Sequence, residues 1–316
     1  MQILVTGGAG FIGSALASRL SAAGHQVVVL DNFNEYYDAK LKRDRVTNLL
    51  PNTPVYFTDI TNKVALKALF TQHQFDVVCH LAAQAGVRYS VEAPEVYVQS
   101  NVLGTQMLLE VMKDFGVKRM VYASTSSAYG ITTDSPFQEA AAADRPVSVY
   151  AATKRSAEML AHSYNQQYGI ETTALRFFTV YGPWSRPDMA MLKFAEKMAK
   201  GEPIDIYNHG NMKRDFTYID DIVEGFVSAV EKPLGYEVIN LGNGSPVKLL
   251  DFVEELEKQL GVSAEKNMMP MQQGDVFETY ADITKAQQLL GYEPKTSFRD
   301  GVAVFARWFK DYYSKS

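Results

Sequence analysis

Thr6-Gly7-Gly8-Ala9-Gly10-Phe11-Ile12-Gly13 decides how this chain is read. Before it, Gln2 to Val5 is a short apolar strand; after it, a helix runs to about Gly24. Gly8, Gly10 and Gly13 match the Gly-x-Gly-x-x-Gly spacing, set between strand and helix where that spacing is meaningful. Glycine at these places permits the tight turn, close approach of a pyrophosphate and helix–strand packing. The helix N-terminus then offers N–H groups and the positive end of its dipole to phosphates. The next strand, Val27 to Leu30, delivers Asp31 about 20 residues after the glycines, the distance at which an acidic residue meets the adenosine ribose. A carboxylate there accepts ribose hydroxyls and repels a 2′-phosphate, which favours NAD over NADP. The basic cluster Lys40, Lys42, Arg43 and Arg45 pulls the other way, unless it is simply a solvated helix face.

Outward from the turn, strand and helix patterns alternate. Val55–Phe57 leads to Asp59 and Ile60, placed for an adenine contact. Asn62–Gln72 is helical, and Val77–Leu81 is an apolar strand entering Ala82-Ala83-Gln84. One long helix is predicted from Pro94 to Gly116, then a buried strand from Arg119 to Ser124. Such β–α units with continuous apolar strands predict an α/β fold, a doubly wound parallel sheet with helices on both faces. Ligands bind such sheets at the carboxyl ends of the strands, which is where Arg88 and Ser124-Thr125-Ser126-Ser127 fall. Residues 150–169 form a helix stopped by Gly169, with Tyr150 and Lys154 one turn apart on one side. A phenol is a poor base at neutral pH, but a neighbouring ammonium favours the phenolate. The pair suits removal of a hydroxyl proton while hydride leaves the same carbon. A Tyr and a Lys four apart on a surface helix are commonplace, so the glycine turn gives the pair its weight.

With 316 residues and 47% hydrophobic content, the chain has the composition of a soluble globular protein. A net charge of −5 argues against a nucleic-acid partner, and no apolar run approaches membrane-spanning length. Cys79 is the only cysteine, so no intrachain disulfide forms. It sits in an apolar strand beside His80, where a buried thiol and a satisfied core histidine are expected. No metal-ligand cluster stands out. The start has no leader-like features, and a reducing, cytoplasmic location is expected. After Thr172–Phe177 the alternation becomes irregular. Residues 1–181 read as the cofactor domain, and 182–316 mainly as a smaller, interleaved substrate domain with segments returning to the first. The closing helix, Phe298–Tyr313, reads as packing.

The glycine turn, the strand-end Ser/Thr cluster and the Tyr-x-x-x-Lys pair together resemble the extended short-chain dehydrogenase/reductase superfamily and its NAD-dependent epimerase/dehydratase family. Four stretches resemble UDP-glucuronate 4-epimerases in particular: Asp31 to Asp38, His80 to Ser90, Arg176 to Ala190 and Arg214 to Asp221. The likeness extends over essentially the whole chain. It implies a Rossmann fold and NAD retained through a C4 epimerisation of a UDP-sugar by way of a 4-keto sugar. Tyr150 would be the base, Thr125 would bond the reacting oxygen, and Lys154 would depress the Tyr150 pKa and hold the nicotinamide ribose. Cofactor contacts are implied for Gly7, Gly10, Phe11, Ile12, Gly13, Asp31, Asn32, Lys42, Asp59, Ile60, Leu81, Ala82, Ala83, Gln84 and Asn101. Ser126, Ser127 and Thr179 would hold a C6 carboxylate, Arg88 and Arg214 would clamp the diphosphate, and Arg186 would close over the site. Relatives pair two helices of each chain into a homodimer.

Three positions depart from the family pattern: Ser185 for Gly, Thr125 for the Ser of many relatives, and Gln273 for the Pro before Gly274-Asp275. Structural readings compete at other positions. The strand-end cluster could be turn chemistry, Arg186 could be structural, and Arg214 could pair with Asp215 or Asp220. Rival activities differ at the residues after Thr125. A 4,6-dehydratase carries Asp-Glu there, and a UDP-glucuronate decarboxylase has an acidic residue in the loop. A UDP-glucose 4-epimerase needs no carboxylate-holding hydroxyls and is the main alternative. A non-catalytic NAD sensor would lack the Tyr/Lys pair.

Overall fold

The computed structural model describes residues 1–131, 135–271 and 276–314. Gln273, Gly274 and Asp275 lie outside the described residues. Six strands, β1 (Gln2–Thr6), β2 (Gln26–Asp31), β3 (Val55–Phe57), β4 (Val77–His80), β5 (Arg119–Thr125) and β6 (Glu171–Phe177), stand in the order β3-β2-β1-β4-β5-β6. A further strand from the second half of the chain, Tyr236–Leu241, extends the sheet beside β6, and every pairing in it is parallel. This is the doubly wound Rossmann sheet expected of continuous apolar strands, which must be covered on both faces.

Alternate residues of each strand feed two separate cores. Ile3, Val5 and Val29 pack with Leu16 and Leu20 of helix α1 (Phe11–Ala22) and with Ile222 and Phe226 of the helix Ile219–Glu231. Leu4, Val28 and Val78 pack on the other face with Leu66, Leu108 and Ala161. The order reverses between β1 and β4, whose last residues Thr6 and His80 are register partners. That switch point puts the glycine turn directly beside Leu81–Gln84.

Most elements fall where the sequence predicts them, with one informative exception. The single helix expected from Pro94 to Gly116 is three pieces: Pro94–Tyr97, a π-helical turn at Val98–Leu103, and Gly104–Asp114. The wide turn rotates Asn101 inward, where its amide donates to the Gln84 carbonyl (3.0 Å) and the Thr153 hydroxyl (3.0 Å), and its oxygen accepts from the Gln84 N–H (2.8 Å). π turns of this kind recur at functional sites because they re-aim a side chain.

The irregular second half supplies small paired segments around the mouth of the sheet. Thr179–Tyr181 runs parallel to Phe216–Tyr218, and Lys213–Arg214 pairs antiparallel with Val247–Lys248. Phe298–Tyr313 buries Val302, Phe305, Ala306 and Phe309, as the sequence predicts.

Candidate active site

A cleft of about 850 Å³ opens over the carboxyl ends of β1, β2, β4, β5 and β6. At one end it is walled by backbone. Gly7 adopts φ +69°, and a Cβ there would lie 2.7 Å from the Ala82 nitrogen. At Gly13 a Cβ would collide with the Gly7 carbonyl oxygen. Gly10 is the N-cap of α1 and has no capping side chain, and Phe11, Ile12 and Gly13 line the cleft. The turn is therefore a cradle that only glycine leaves open, with helix N–H groups facing it, and it fits the pyrophosphate of a dinucleotide.

Asp31 ends β2 at the cleft wall. Its carboxylate accepts from the Ala9 N–H (3.1 Å) and the Phe33 N–H (2.8 Å). Burial pushes it up from the ordinary carboxylate range, and Lys42 foremost pulls it back. The basic cluster thus splits. Lys40 is exposed, while Lys42 is buried and donates to the Asn34 side chain (2.7 Å), and Arg45 is wholly buried. A purely solvated face does not describe it. Asn32, Ile60, Leu81, Ala82, Ala83 and Gln84 also line the cleft. Two expected cofactor contacts do not. Asp59 is occupied by Asn32 (2.7 Å) and by the hydroxyl and N–H of Thr61. Asn101 bonds Gln84 and Thr153, and Asp59 lines a smaller adjoining pocket with Asn32 and Gln84.

Where the cofactor end meets the second half of the chain, Thr125, Tyr150 and Lys154 converge. Ser148 caps the helix Val149–Tyr168 by accepting from the Ala151 N–H (3.1 Å), which sets Tyr150 in the first turn. Burial raises the Tyr150 phenol above its ordinary value; the Thr125 hydroxyl and then Arg186 work against that rise. Lys154 is not among the groups that act most on the phenol in this structure. Its ammonium lies 4.2 Å over the Tyr122 ring, and burial draws it down to about 7, with Glu158 opposing. The i,i+4 spacing did put both groups on one face, but Lys154 lies deeper, against Tyr122, so the guanidinium that bears on the phenol is Arg186. His80 is the satisfied core residue expected. Thr105 donates to the Asn101 carbonyl (2.6 Å), so His80 donates from Nε2 to Thr105 (2.9 Å) and accepts from Thr6 at Nδ1 (2.8 Å).

The far end is lined by side chains from scattered segments: Arg88, Ser126, Ser127, Thr179, Arg186 and Arg214, joined by Tyr36, Asp188, Lys193 and Tyr207. Arg186 makes a two-bonded pair with Asp188 (2.9 and 2.6 Å), and the Tyr36 hydroxyl donates to the same carboxylate at 3.2 Å. The Arg88 guanidinium sits 5.1 Å over the Tyr207 ring. Burial, then Arg88 and Lys197, lower Lys193. Arg214 donates to the Lys213 and Phe277 carbonyls (2.9 and 3.3 Å). Asp215 turns away from it and accepts the N–H groups of Asn243, Gly244 and Ala281 at 2.7–3.1 Å, so the expected alternative of an Arg214–Asp215 pair does not form. Among the described residues no cluster of His, Cys, Asp and Glu could hold a metal, and no helix is long and apolar enough to cross a membrane.

The sequence reading passed over Tyr36, Asp188, Lys193 and Tyr207. Tyr36 and Asp188 lie 152 positions apart, and no local spacing announces such a contact.

Residues 3–242 match the family model of the NAD dependent epimerase/dehydratase family. UDP-glucuronate 4-epimerase 4 of Arabidopsis thaliana is 47% identical, over 99% of this chain and 76% of that one. The crystal structure of UDP-glucuronic acid 4-epimerase from Bacillus cereus, in complex with UDP-glucuronic acid and NAD, superposes with a TM-score of 0.93 at 39% identity. It covers 99% of this chain and 100% of that one. The UDP-glucose 4-epimerase of Thermotoga maritima, solved with UDP-glucose, follows with a TM-score of 0.92 at 34% identity, over 99% and 100% of the two chains. A glycine cradle beside a Tyr/Lys/Thr cluster, matched by relatives over the full chain, leaves one conclusion: the chain belongs to the NAD-dependent epimerase/dehydratase family.

Proposed function

We propose that this chain epimerises UDP-glucuronic acid at C4 to UDP-galacturonic acid through a transient 4-keto sugar, with NAD resident in the glycine cradle. The observation that carries the reading is the set of neutral hydroxyls beside Tyr150. Ser126, Ser127 and Thr179 line the wall, and no carboxylate follows Thr125. The glycine cradle would hold NAD, which would supply a hydride acceptor for the C4 hydrogen and a hydride donor to the opposite face of the ketone. Tyr150 accepts the O4 proton and gives it back, Thr125 bonds the same oxygen, and Lys154 holds the ribose. Arg88 and Arg214 carry the diphosphate, a role suited to forked guanidinium donors.

Substrate choice follows from the ketone. Oxidation at C4 makes a β-keto acid, which loses CO2 if the C5–C6 bond aligns with the carbonyl π system. The three hydroxyls restrain the carboxylate by charge-assisted hydrogen bonds without supplying an acid to protonate an enolate. A cation at O4 would promote the loss, and Arg186 stands near Tyr150. Its two bonds to Asp188 offset that charge, leaving a dipole where a bare guanidinium would be harmful.

The Thermotoga likeness supports a second reading, a neutral UDP-hexose substrate. Parallel turnover of UDP-glucuronic acid and UDP-glucose, read by NMR of the sugar, separates the two. A kcat/KM higher for the uronate by about tenfold or more supports the first, and the reverse order rejects it.

In this reading residues 1–181 hold the cofactor and also lend Arg88, Ser126, Ser127 and Thr179 to the sugar nucleotide, which 182–316 mainly serve. A buried Cys79 and the absence of other cysteines support a cytoplasmic setting. A homodimer through the helical stretch 94–115 and the helix 150–168 is supported by Val98 and Met159, which are 51% and 60% exposed on these neighbouring segments. Sedimentation at micromolar concentration tests it, and a monomer there rejects it.

A further inference from the structure

Arg45 belongs to helix α2 (Ala39–Leu49), and none of it reaches solvent. Its guanidinium donates from Nε and Nη2 to the Trp184 carbonyl (3.0 and 2.7 Å) and from Nη2 to the Ser185 carbonyl (3.3 Å). From Nη1 it donates to the Tyr37 hydroxyl (2.6 Å) and the Ala9 carbonyl (3.3 Å). Every acceptor is a neutral oxygen. No ion pair joins Arg45 to a carboxylate among the described residues. The nearest opposite charge that bears on it is the buried Asp31 carboxylate, which Arg45 helps hold down without a hydrogen bond. A guanidinium bonded only to neutral oxygens is costly to bury, and an apolar side chain of similar volume would fill the space with less penalty. Packing alone therefore does not account for an arginine here.

The fork joins three segments at one point: the glycine turn at Ala9, the loop after Asp31 at Tyr37, and the turn at Trp184–Ser185. Trp184 holds φ +64°, a left-handed conformation unusual for a bulky residue. Its ring is packed against Trp308 and Tyr312, while its carbonyl is the atom Arg45 grips twice. The next residues are Ser185 and Arg186. A second tie, from Tyr36 to Asp188, holds the same loop on its outer side.

We propose that Arg45 is a positioning residue for the reaction: its planar fork fixes the Trp184–Ser185 turn against the glycine turn and so sets Arg186 and Asp188 beside Tyr150. The inference rests on the reading of Arg186 as a group at the reacting end of the cleft. Lysine keeps the charge but has one point of attachment, so Arg45→Lys removes the fork and leaves the electrostatics.

The test is a double-mutant cycle of Arg45→Lys and Arg186→Met, with kcat, KM and NAD content per purified chain measured for each protein. Arg45→Lys is expected to lower kcat about 10-fold, with KM within about 3-fold and NAD content unchanged, the pattern of a misplaced group at the reacting centre. On the Arg186→Met background the same change should cost less than about twofold, because what it positions is already gone. Losses that multiply in the double variant overturn the proposal, as does a wild-type kcat for Arg45→Lys beside an impaired Arg186→Met. A wild-type rate for Arg186→Met overturns the reading of Arg186 as well. Should Arg45→Lys not fold, Tyr37→Phe removes only the 2.6 Å bond to Nη1. It should lower kcat about 3-fold on the wild-type background and not on Arg186→Met; an unchanged kcat overturns the proposal.

Discussion

At the cofactor end of the cleft, Gly7 leaves space against the Ala82 nitrogen and Gly10 and Gly13 against the Gly7 carbonyl, and Asp31 is held by two N–H groups. At the sugar end, Arg88, Arg186, Lys193 and Arg214 line the wall from four separate segments. The first end receives phosphates by lacking side chains, with a helix terminus supplying partial charge. In the proposed reading the second receives a more highly charged ligand with full charges on long side chains. A backbone cradle tolerates almost no added atom, whereas a wall of side chains can be retuned one residue at a time. Variants at the two ends should therefore fail differently, in cofactor retention at one and in KM or product at the other.

The largest effect is expected where the ends meet. Tyr150→Phe should keep the fold and bound NAD but lose roughly 10²–10⁴-fold in turnover; activity within a few-fold of wild type would remove Tyr150 as the base. At the sugar end, Arg214→Met should raise KM for the sugar nucleotide about 10–100-fold and leave NAD content alone, since a charge-assisted bond to phosphate is lost. Loss of NAD in that variant would break the division of labour.

Lys154 tests the centre through stability. Its folded pKa of about 7 lies below the value of about 10.4 for an unfolded lysine. Between those values the unfolded chain binds the proton and the folded chain does not, so this group makes stability rise with pH across that window. Below pH 7 both states are charged and the burial penalty stands in full. NAD-free Lys154→Met should accordingly gain about 1–3 kcal/mol over wild type in urea melts at pH 6, and less at pH 9. A gain that grows with pH would contradict the buried, easily deprotonated ammonium. At the cofactor end, Asp31→Ala should weaken NAD binding about tenfold and relax discrimination against NADP; a wild type that already prefers NADP would refute the ribose assignment. The smallest effect is a leak. Ser126→Ala with Ser127→Ala should divert on the order of a few per cent of product to UDP-4-keto-pentose, because each lost bond to the carboxylate weakens its restraint. A double variant that merely slows would show these hydroxyls do not hold the carboxylate.

The same contrast explains what could be read in advance. The glycine turn, Asp31 and the Tyr150/Lys154 pair are local patterns, and the sheet follows from apolar strands alternating with helices. Asn101 was legible as a residue but its bonds were not, because a π turn leaves no simple periodic signal and its partners Gln84 and Thr153 are remote. The depth of Lys154, against the Tyr122 ring, was not legible, because spacing along a helix does not report depth. Arg45, Tyr36 and Asp188 act through contacts spanning well over a hundred residues. For Arg45 the hint was present as a basic cluster on one helix, but only packing shows which members turn inward.

The central claim is tested most directly by incubating the purified chain, without added NAD, with UDP-glucuronic acid in D2O and following the sugar by NMR. The account predicts UDP-galacturonic acid carrying protium at C4, since that hydrogen leaves and returns within one closed site. Deuterium at C4, or a pentose as the main product, would contradict it.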